Sequence, residues 1–335
     1  MPREHQARPP LTILGAGPVG LAAALYARQL GLAVEILTDR LPAHEDRCRL
    51  EVIPAQIIGL LVEFGIHPRA FGVERMHERR LTQWRSRDVI VSKAPPSAHV
   101  SRPALDLALL GLAESKGVRI RPVGNSAAIM VGDAVDAGTL VLDATGRSAT
   151  TALCIARPKV PLVSRTFIQS TGGTSCPDGF AIAAGCDGYV YRLCNSQQDI
   201  LGVVGHGGLL RGSARNVVES IHSFAPWITA GLNTDRLEPG SAGAASLQWC
   251  VTATEGVQPI GDARIARDAL ASQGLAIGFT EALRVVSAVA AQKAVDLSMT
   301  TAQLAQHRRR VGDLIIESPF SLSPEWRQYL AFLQV

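Results

Sequence analysis

The sequence predicts an α/β fold, a Rossmann-like domain built on a parallel sheet with an inserted sheet-rich (α+β) domain. Three observations carry this. Residues 11–40, LTILGAGPVGLAAALYARQLGLAVEILTDR, read as strand, glycine turn, helix and strand in one compact unit. The same strand-then-glycine grammar returns at residues 139–146, TLVLDATG, and at residues 257–262, VQPIGD. Between them, over residues 152–256, the texture changes to short apolar alternations rich in Gly, Ser and Cys.

The first unit dictates its own chemistry. Residues 11–14 form an apolar run suited to a buried parallel strand. The run breaks into Gly15, Ala16, Gly17, Pro18, Val19 and Gly20, the spacing G-x-G-x-x-G. In this context Gly15 permits the tight turn, Gly17 lets backbone approach a pyrophosphate, and Gly20 lets the helix pack closely on the strands. Residues 21–30 are apolar and Ala-rich without Gly or Pro, a helix of about three turns; Gly31 stops it and residues 34–37 form the next strand. The helix N-terminus offers unpaired N–H groups and a positive dipole end to an anion. An acidic residue for ribose hydroxyls is expected at the end of the second strand, but that place holds Thr38 and the carboxylate comes one later, at Asp39.

The later elements follow in order. Residues 41–51 are a polar loop. Pro54 opens a helix through about Phe64, and Gly65 ends it. Residues 73–94 alternate like a strand excursion that Pro95-Pro96 breaks. Ser101 caps a helix running to Lys116, with Pro103 in its first turn and Gly117 as its stop. Residues 118–123 form a strand. Within the inserted region, residues 180–184, 189–193 and 200–204 are strands, and residues 214–224 are a helix. Residues 270–296 and 301–316 supply two further helices. The boundaries expected are a flexible tail over 1–10, a first nucleotide-binding part over 11–151, the inserted domain over 152–256, and a second nucleotide-binding part with C-terminal helices over 257–335.

Composition excludes several classes. With 335 residues, 47% hydrophobic and 19% charged, the chain is globular rather than disordered. No apolar run reaches the roughly 18 residues that span a bilayer, and residues 1–10 lack a signal-peptide core, so no membrane association and a cytoplasmic location are expected. The six cysteines form no C-x-x-C pair and no metal-ligand spacing, so reduced thiols and no metal are expected. The net charge of +4 is modest, and the basic cluster at residues 307–310 has no aromatic interleaving, which speaks against nucleic acid.

Three pieces together form a constellation: G-A-G-P-V-G at Gly15, D-A-T-G-R at residues 143–147, and G-D-A at Gly261 followed by D-A-L-A-S-Q-G-L at residues 268–275. Their order and spacing resemble the FAD-dependent monooxygenase superfamily, of the p-hydroxybenzoate hydroxylase and flavin-dependent tryptophan halogenase type. Residues 47–54 and the S-Q-G-L run look most like the halogenase branch, which includes flavoproteins that hydroxylate a tryptophan during maturation of quinone-cofactor amine oxidases and dehydrogenases. The resemblance implies FAD. Gly15, Gly17, Pro18, Val19 and Gly20 would hold its pyrophosphate, and Asp39 would stand in for the ribose carboxylate. Arg47, Arg49 and Arg102, the last in the family's R-x-x-L-D, would lie near it. The turn at Thr145 and Gly146 would pass its nucleotide part. Asp262, after Gly261, would accept from the ribityl chain, and the helix after Gln273-Gly274 would aim its N-terminus at the flavin pyrimidine edge.

The activity so implied is hydroxylation of an electron-rich aromatic ring through a flavin C4a-hydroperoxide, with O2 as oxidant and NAD(P)H or reduced flavin from a partner reductase as electron donor. Two alternatives stand beside it. One is a maturation flavoprotein acting on a tryptophan of a partner protein. The other is a non-catalytic flavin-binding accessory protein, for which Thr38 in the carboxylate place is the best support. No residue is assigned a catalytic acid–base role. The halogenase W-x-W-x-I-P signature is matched only loosely by residues 189–194, no lysine takes the halide-activating role with Lys93 merely in a conceivable region, and halogenation is disfavoured. Ala269 stands where a proline usually precedes the final turn. Taken alone, the residues leave bland readings open: Asp262 as a turn residue, Arg47 and Arg49 as loop charges, Glu51 as a solvated carboxylate, His206 in a turn, Trp249 and Phe279 as packing, and Tyr189 and Tyr191 as sheet residues.

Overall fold

Leu11, Ile13 and Leu14 put apolar side chains on both faces and need cover on both sides, and β1 (Leu11–Leu14) is buried throughout, Thr12 included, at the centre of a parallel sheet. The computed structural model describes residues 11–43, 49–124, 127–136, 138–159, 161–170, 177–206, 210, 212–252, 255–268, 270, 273–295 and 298–334. After β1 come α1 (Pro18–Gln29), β2 (Val34–Thr38), β3 (Leu50–Pro54), α2 (Ala55–Phe64), β4 (His77–Gln83) and β5 (Ile90–Ser101). Next are α3 (Arg102–Ser115), β6 (Arg119–Pro122), α4 (Ala127–Asp136), β7 (Leu140–Asp143), β8 (Ala152–Ala156) and β9 (Val163–Ser170). Then follow β10 (Phe180–Gly185), β11 (Gly188–Cys194), β12 (Gln198–Gly205), α5 (Ala214–Phe224), α6 (Pro226–Thr229), β13 (Glu238–Ala244) and β14 (Gln248–Thr252). The chain closes with β15 (Val257–Pro259), β16 (Ile265–Ala266), α7 (Gly274–Ala290), α8 (Ser298–Ile316) and α9 (Pro324–Leu333).

The parallel sheet has the order β15-β7-β1-β2-β6. One face packs Leu11, Ile13, Ile36 and Leu142 against α1, α3 and α7, and the other packs Leu37, Val141 and Val257 against Val131 of α4. A second, mixed sheet runs β13-β9-β12-β11-β10-β4-β5-β3; it therefore takes three strands from residues 50–101 as well as five from the inserted region. β8, β14 and β16 form a small third sheet. The helices α8 and α9 close over the second sheet, where Trp326, Tyr329, Val311 and Ile315 meet Tyr189 and Trp84.

Local chemistry sets the boundaries. Gly65, at φ 103°, ends α2 in the left-handed conformation a Cβ would disfavour. The Ser101 hydroxyl accepts from Ala104 N–H and starts α3. Three expectations need correction. Pro95-Pro96 does not break the strand: β5 runs through both, because they lie where its register with β4 shifts between His77 and Arg79 and fewer N–H donors are demanded. The helix expected over 270–296 spans only Gly274–Ala290. It starts after Gln273, whose φ −121° and ψ −2° are not helical, and Gln292 at φ 53° prevents continuation. The thiols are not all reduced: Cys194 is in a disulfide whose partner lies outside the described residues, while Cys154, Cys186 and Cys250 are free. Such pairing depends on spatial neighbours that spacing along the chain does not reveal.

Candidate cofactor site

Parallel pairing brings the three glycine turns together. Leu14 is in register with Leu37 on one side and Asp143 on the other, and Asp143 in turn with Pro259. The turns after β1, β7 and β15 therefore leave the same edge of three adjacent strands, the carboxyl edge where ligands bind in open α/β sheets. They are stitched there by Gly15 N–H to Leu37 O (2.7 Å), Ala144 N–H to Leu14 O (2.8 Å) and Ile260 N–H to Asp143 O (2.8 Å). In front of them lies a cleft of about 1040 Å³. Gly15, Gly17, Pro18, Val19, Asp39, Arg49, Arg102, Thr145, Gly146, Asp262, Gln273 and Gly274 all line it. Gly20 and Gly261 do not line it and sit behind it, and Arg47 lies outside the described residues.

The glycines divide by what a side chain would meet. A Cβ on Gly20 would fall 2.1 Å from Gly15 O, and one on Gly15 would fall 2.8 Å from Ala144 O, so these two are required by the fold itself. Gly17 and Gly146 face open space, with nothing within 4 Å. At Gly17 an absent Cβ is unnecessary for packing and leaves room for a ligand to reach the backbone, whereas Gly146, at φ 68°, is held to glycine by its left-handed backbone. Helices α1 and α7 both begin at the cleft, after Gly17 and Gln273, and neither has a side-chain cap. Their unpaired N–H groups and positive dipole ends are thus free to meet negative charge.

The second strand ends in an arrangement the spacing alone does not reveal. Thr38 is buried; its Oγ1 accepts from Ala16 N–H (3.4 Å) and Arg40 N–H (3.3 Å) and donates to Arg40 O (2.7 Å). It ties the strand end to the glycine turn and has no hydroxyl capacity left over. Asp39, beside it, is exposed on the cleft wall.

The DATGR turn is held from beneath. Asp143 is fully buried, and its two carboxylate oxygens accept from the N–H and hydroxyl of both Thr145 and Thr151, at 2.6–2.9 Å. Arg147 reaches across to donate to Ser246 O (2.7 Å) and Arg267 O (2.6 Å), with Asp262 at 4.0 Å. Glu281 of α7 accepts from Gly261 N–H (2.9 Å) and approaches Arg264 at 3.6 Å; its burial pushes the carboxyl up from the usual range, against the pull of Arg264. These contacts fix the third turn to the second and to α7.

Charged side chains form the opposite wall. Arg102 donates through Nε to both oxygens of Asp106 (2.8 and 2.9 Å) and through a terminal nitrogen to Glu51 (2.8 Å), which Arg49 also contacts at 2.7 Å. Burial by itself would raise the Glu51 carboxyl, but Arg49 and Arg102 outweigh it and hold the group below its ordinary value. At Asp106 burial wins over Arg102 and the carboxyl is raised. Glu51 is therefore an ion-paired cleft residue rather than a solvated carboxylate.

The second sheet supplies a roof, as expected of the inserted sheet-rich region, through side chains that the sequence did not single out for the site. Phe180, Tyr189, Tyr191 and Leu193 line the cleft from β10 and β11, Ser164 and Thr166 from β9, and residues 241–245 from the edge of β13. Tyr191 lies flat over Gly202, where a Cβ would come 2.0 Å from its ring, and is stacked beside Phe180. Burial pushes its phenol up to about 12. Strand alternation places Tyr189, Tyr191 and Leu193 on one face, which was the available signal. Arg147, Arg267 and Asp268 also line the cleft. Phe279 is core packing, and Trp249 packs on Phe332 and under Arg308. Among the described residues, the buried Arg49 Nε, Arg267 Nε and Tyr189 hydroxyl have no protein partner.

No protein-family model and no curated protein matches the chain. Solved structures do. The chain is similar to QhpG, a peptidyl tryptophan dihydroxylase essential for tryptophylquinone cofactor biogenesis, with a TM-score of 0.67 and 16% identity over 96% of this chain and 79% of that one. It is similar to CmlS, a flavin-dependent halogenase, with a TM-score of 0.74 and 16% identity over 97% of this chain and 68% of that one. It is also similar to the myxobacterial chondrochloren halogenase CndH, an FAD-dependent halogenase, with a TM-score of 0.72 and 16% identity over 96% and 85%. At such identities the likeness is one of fold: an α/β parallel sheet joined to a mixed sheet, as in FAD-dependent halogenases and hydroxylases. Among the described residues, no helix is long and apolar enough to cross a membrane.

Proposed function

We propose that the chain binds FAD in this cleft and acts as a monooxygenase on an electron-rich aromatic ring. The observation that carries the reading is the convergence of three glycine turns and two uncapped helix N-termini on one cleft of about 1040 Å³. The residues fit the cofactor. Gly17 and the start of α1 would hold the pyrophosphate, Asp39 the adenosine ribose, Asp262 the ribityl chain, and the N-terminus of α7 the pyrimidine edge. A flavin supplies reduction of oxygen and delivery of one oxygen atom to a ring. The protein's own share is positioning and exclusion of water. Tyr191, held by Gly202, and Phe180 offer flat apolar surfaces to a ring, and the second sheet roofs it. The start of α7 stabilises negative charge by about 0.3–1 kcal/mol, rising to about 2 when partly buried.

The first test is the visible spectrum of the purified protein with and without added FAD; absence of flavin bands together with no uptake would overturn flavin binding and favour a flavin-degenerate accessory protein. The second is NAD(P)H consumption with FAD, screened against phenols, indoles and tryptophan-containing peptides. One observation favours a protein substrate as second reading: the cleft opens along the exposed residues 242–244 of the edge strand β13, where a bulky partner has access. Stimulation by peptides but not by free indoles or phenols would select it.

A further inference from the structure

Beneath the cleft, two free thiols face each other. Cys154 on β8 and Cys250 on β14 are directly opposed in the antiparallel register of the small third sheet. Directly opposed residues in such a pair have Cα atoms about 4.5 or 5.5 Å apart, both inside the disulfide range of about 4.4–6.8 Å. Cys154 Sγ donates to Ala156 O at 3.7 Å, and the Gln248 amide donates to Cys250 Sγ at 3.6 Å. A register shift between Trp249 and Cys250 marks local irregularity in the strand that would have to adjust. Accessibility differs sharply: Cys154 is exposed on β8, the edge strand of its sheet, whereas Cys250 is 4% exposed, packed with Ala149 and Ala263 from the second and third glycine turns.

We propose that Cys154 and Cys250 are a peroxide-reactive pair that closes to a reversible disulfide. An accessible thiol beside a second thiol is an arrangement in which a sulfenic acid formed on the first is captured as a disulfide. The Cys154 thiolate attacks hydrogen peroxide: an S–O bond forms, the O–O bond breaks, and water leaves once the departing oxygen is protonated. Cys250 sulfur then attacks Cys154 sulfur: the S–S bond forms, the S–O bond breaks, the Cys250 proton goes with the departing hydroxide, and a second water leaves. One peroxide is reduced and two thiols are oxidised, with nothing further needed. Cys186, also exposed and free, serves as the internal comparison, since among the described residues no thiol lies in register with it.

The test uses the full chain without added flavin, so its outcome is independent of the cofactor reading. Protein is exposed to hydrogen peroxide, unfolded, alkylated and digested without reductant. The expected product is a crosslinked peptide pair joining Cys154 to Cys250, lighter by two hydrogens than the two thiols and released by dithiothreitol. In Cys250→Ala, labelling of Cys154 by a sulfenic-acid probe should rise several-fold over wild type; in Cys154→Ser, Cys250 should stay alkylatable only after unfolding. Oxidation of Cys154 to the sulfinic acid with Cys250 still free in wild type, pairing of either with another cysteine, or no reaction at Cys154 would overturn the proposal.

Discussion

Gly17 and Gly20 belong to one motif yet should fail in different ways when given a side chain. Gly17 has φ −76° and ψ 173°, an extended conformation open to any residue, and nothing within 4 Å of its missing Cβ. Gly17→Val should therefore fold with stability close to wild type. If the pyrophosphate sits against this backbone, the isopropyl group displaces it from the first N–H groups of α1. Hydrogen bonds to a charged group are worth about 1.5–3 kcal/mol each, and the dipole end about 0.3–1 kcal/mol. Loss of one or two such bonds amounts to roughly 2–5 kcal/mol, a weakening of FAD binding by about 30-fold to several thousand-fold. Gly20→Ala drives a methyl to 2.1 Å from Gly15 O, a backbone atom that can retreat only by moving the turn. Overpacking of this sort costs about 1–3 kcal/mol or more and should appear as a lowered melting temperature with or without cofactor. Differential scanning fluorimetry and titration of flavin fluorescence separate the two. Wild-type FAD affinity in a folded Gly17→Val would refute a pyrophosphate seat at α1, and an unaltered melting temperature in Gly20→Ala would refute the close approach.

Four further outcomes are expected. Asp262→Ala should weaken FAD retention on gel filtration while leaving the protein folded; unchanged retention would remove Asp262 from the ribityl role. Asp143→Ala leaves the hydroxyls and amides of Thr145 and Thr151 without their shared acceptor, and should lower stability in urea by about 2–4 kcal/mol; a loss below about 1 kcal/mol would mean the turn holds itself. Arg192 and Asp199 form a buried, fully hydrogen-bonded ion pair in the second sheet, so Arg192→Met should cost about 3–5 kcal/mol, and the double variant with Asp199→Leu should recover much of it; equal stability of both variants would refute the argument. His99 is 3% exposed and stacked on His77, and burial depresses its pKa from 6.5 to about 4. Between those values the unfolded chain binds a proton that the native state does not, so the contribution is present above pH 6.5 and is lost as pH falls toward 4, by about 3 kcal/mol in all. His99→Phe should flatten urea-derived stability over that window, and an identical pH slope would count against it.

What was legible in the sequence follows from how local each signal is. The glycine turn of α1, the cap at Ser101 and the stop at Gly65 are written in a few adjacent residues, and the structure places them as expected. The convergence of the three turns was legible as order along the chain. That the inserted region roofs the cleft was legible too, but its lining side chains were not, because Phe180, Tyr191 and Ser241 meet only through the strand order of the second sheet, and alternation alone does not tell a strand facing a cleft from one facing a core. β5 was hidden for another reason: Pro95-Pro96 reads as a break unless the register shift opposite them is known. The Arg49–Glu51–Arg102–Asp106 cluster joins a segment before β3 to the first turn of α3, a contact created by the pairing of β3 with β5 rather than by spacing.

Thr38 shows why a departure from motif need not be a loss of function. A carboxylate at that place would face the ribose, yet the buried Thr38 hydroxyl is already committed to Ala16 N–H and to both backbone groups of Arg40. It thereby bends the chain just after β2 and holds the first glycine turn to the strand end. The bend undoes the alternation that would otherwise send Asp39 to the opposite face, and Asp39 emerges on the cleft wall beside Gly15 and Gly17. With the proposed cofactor in the cleft, Thr38 would brace the turn and its neighbour Asp39 would meet the ribose. Because Asp39 is exposed, its attraction for a ribose would be weakened by solvent, and tight retention of the proposed cofactor would rest more heavily on the two uncapped helix starts than on this carboxylate.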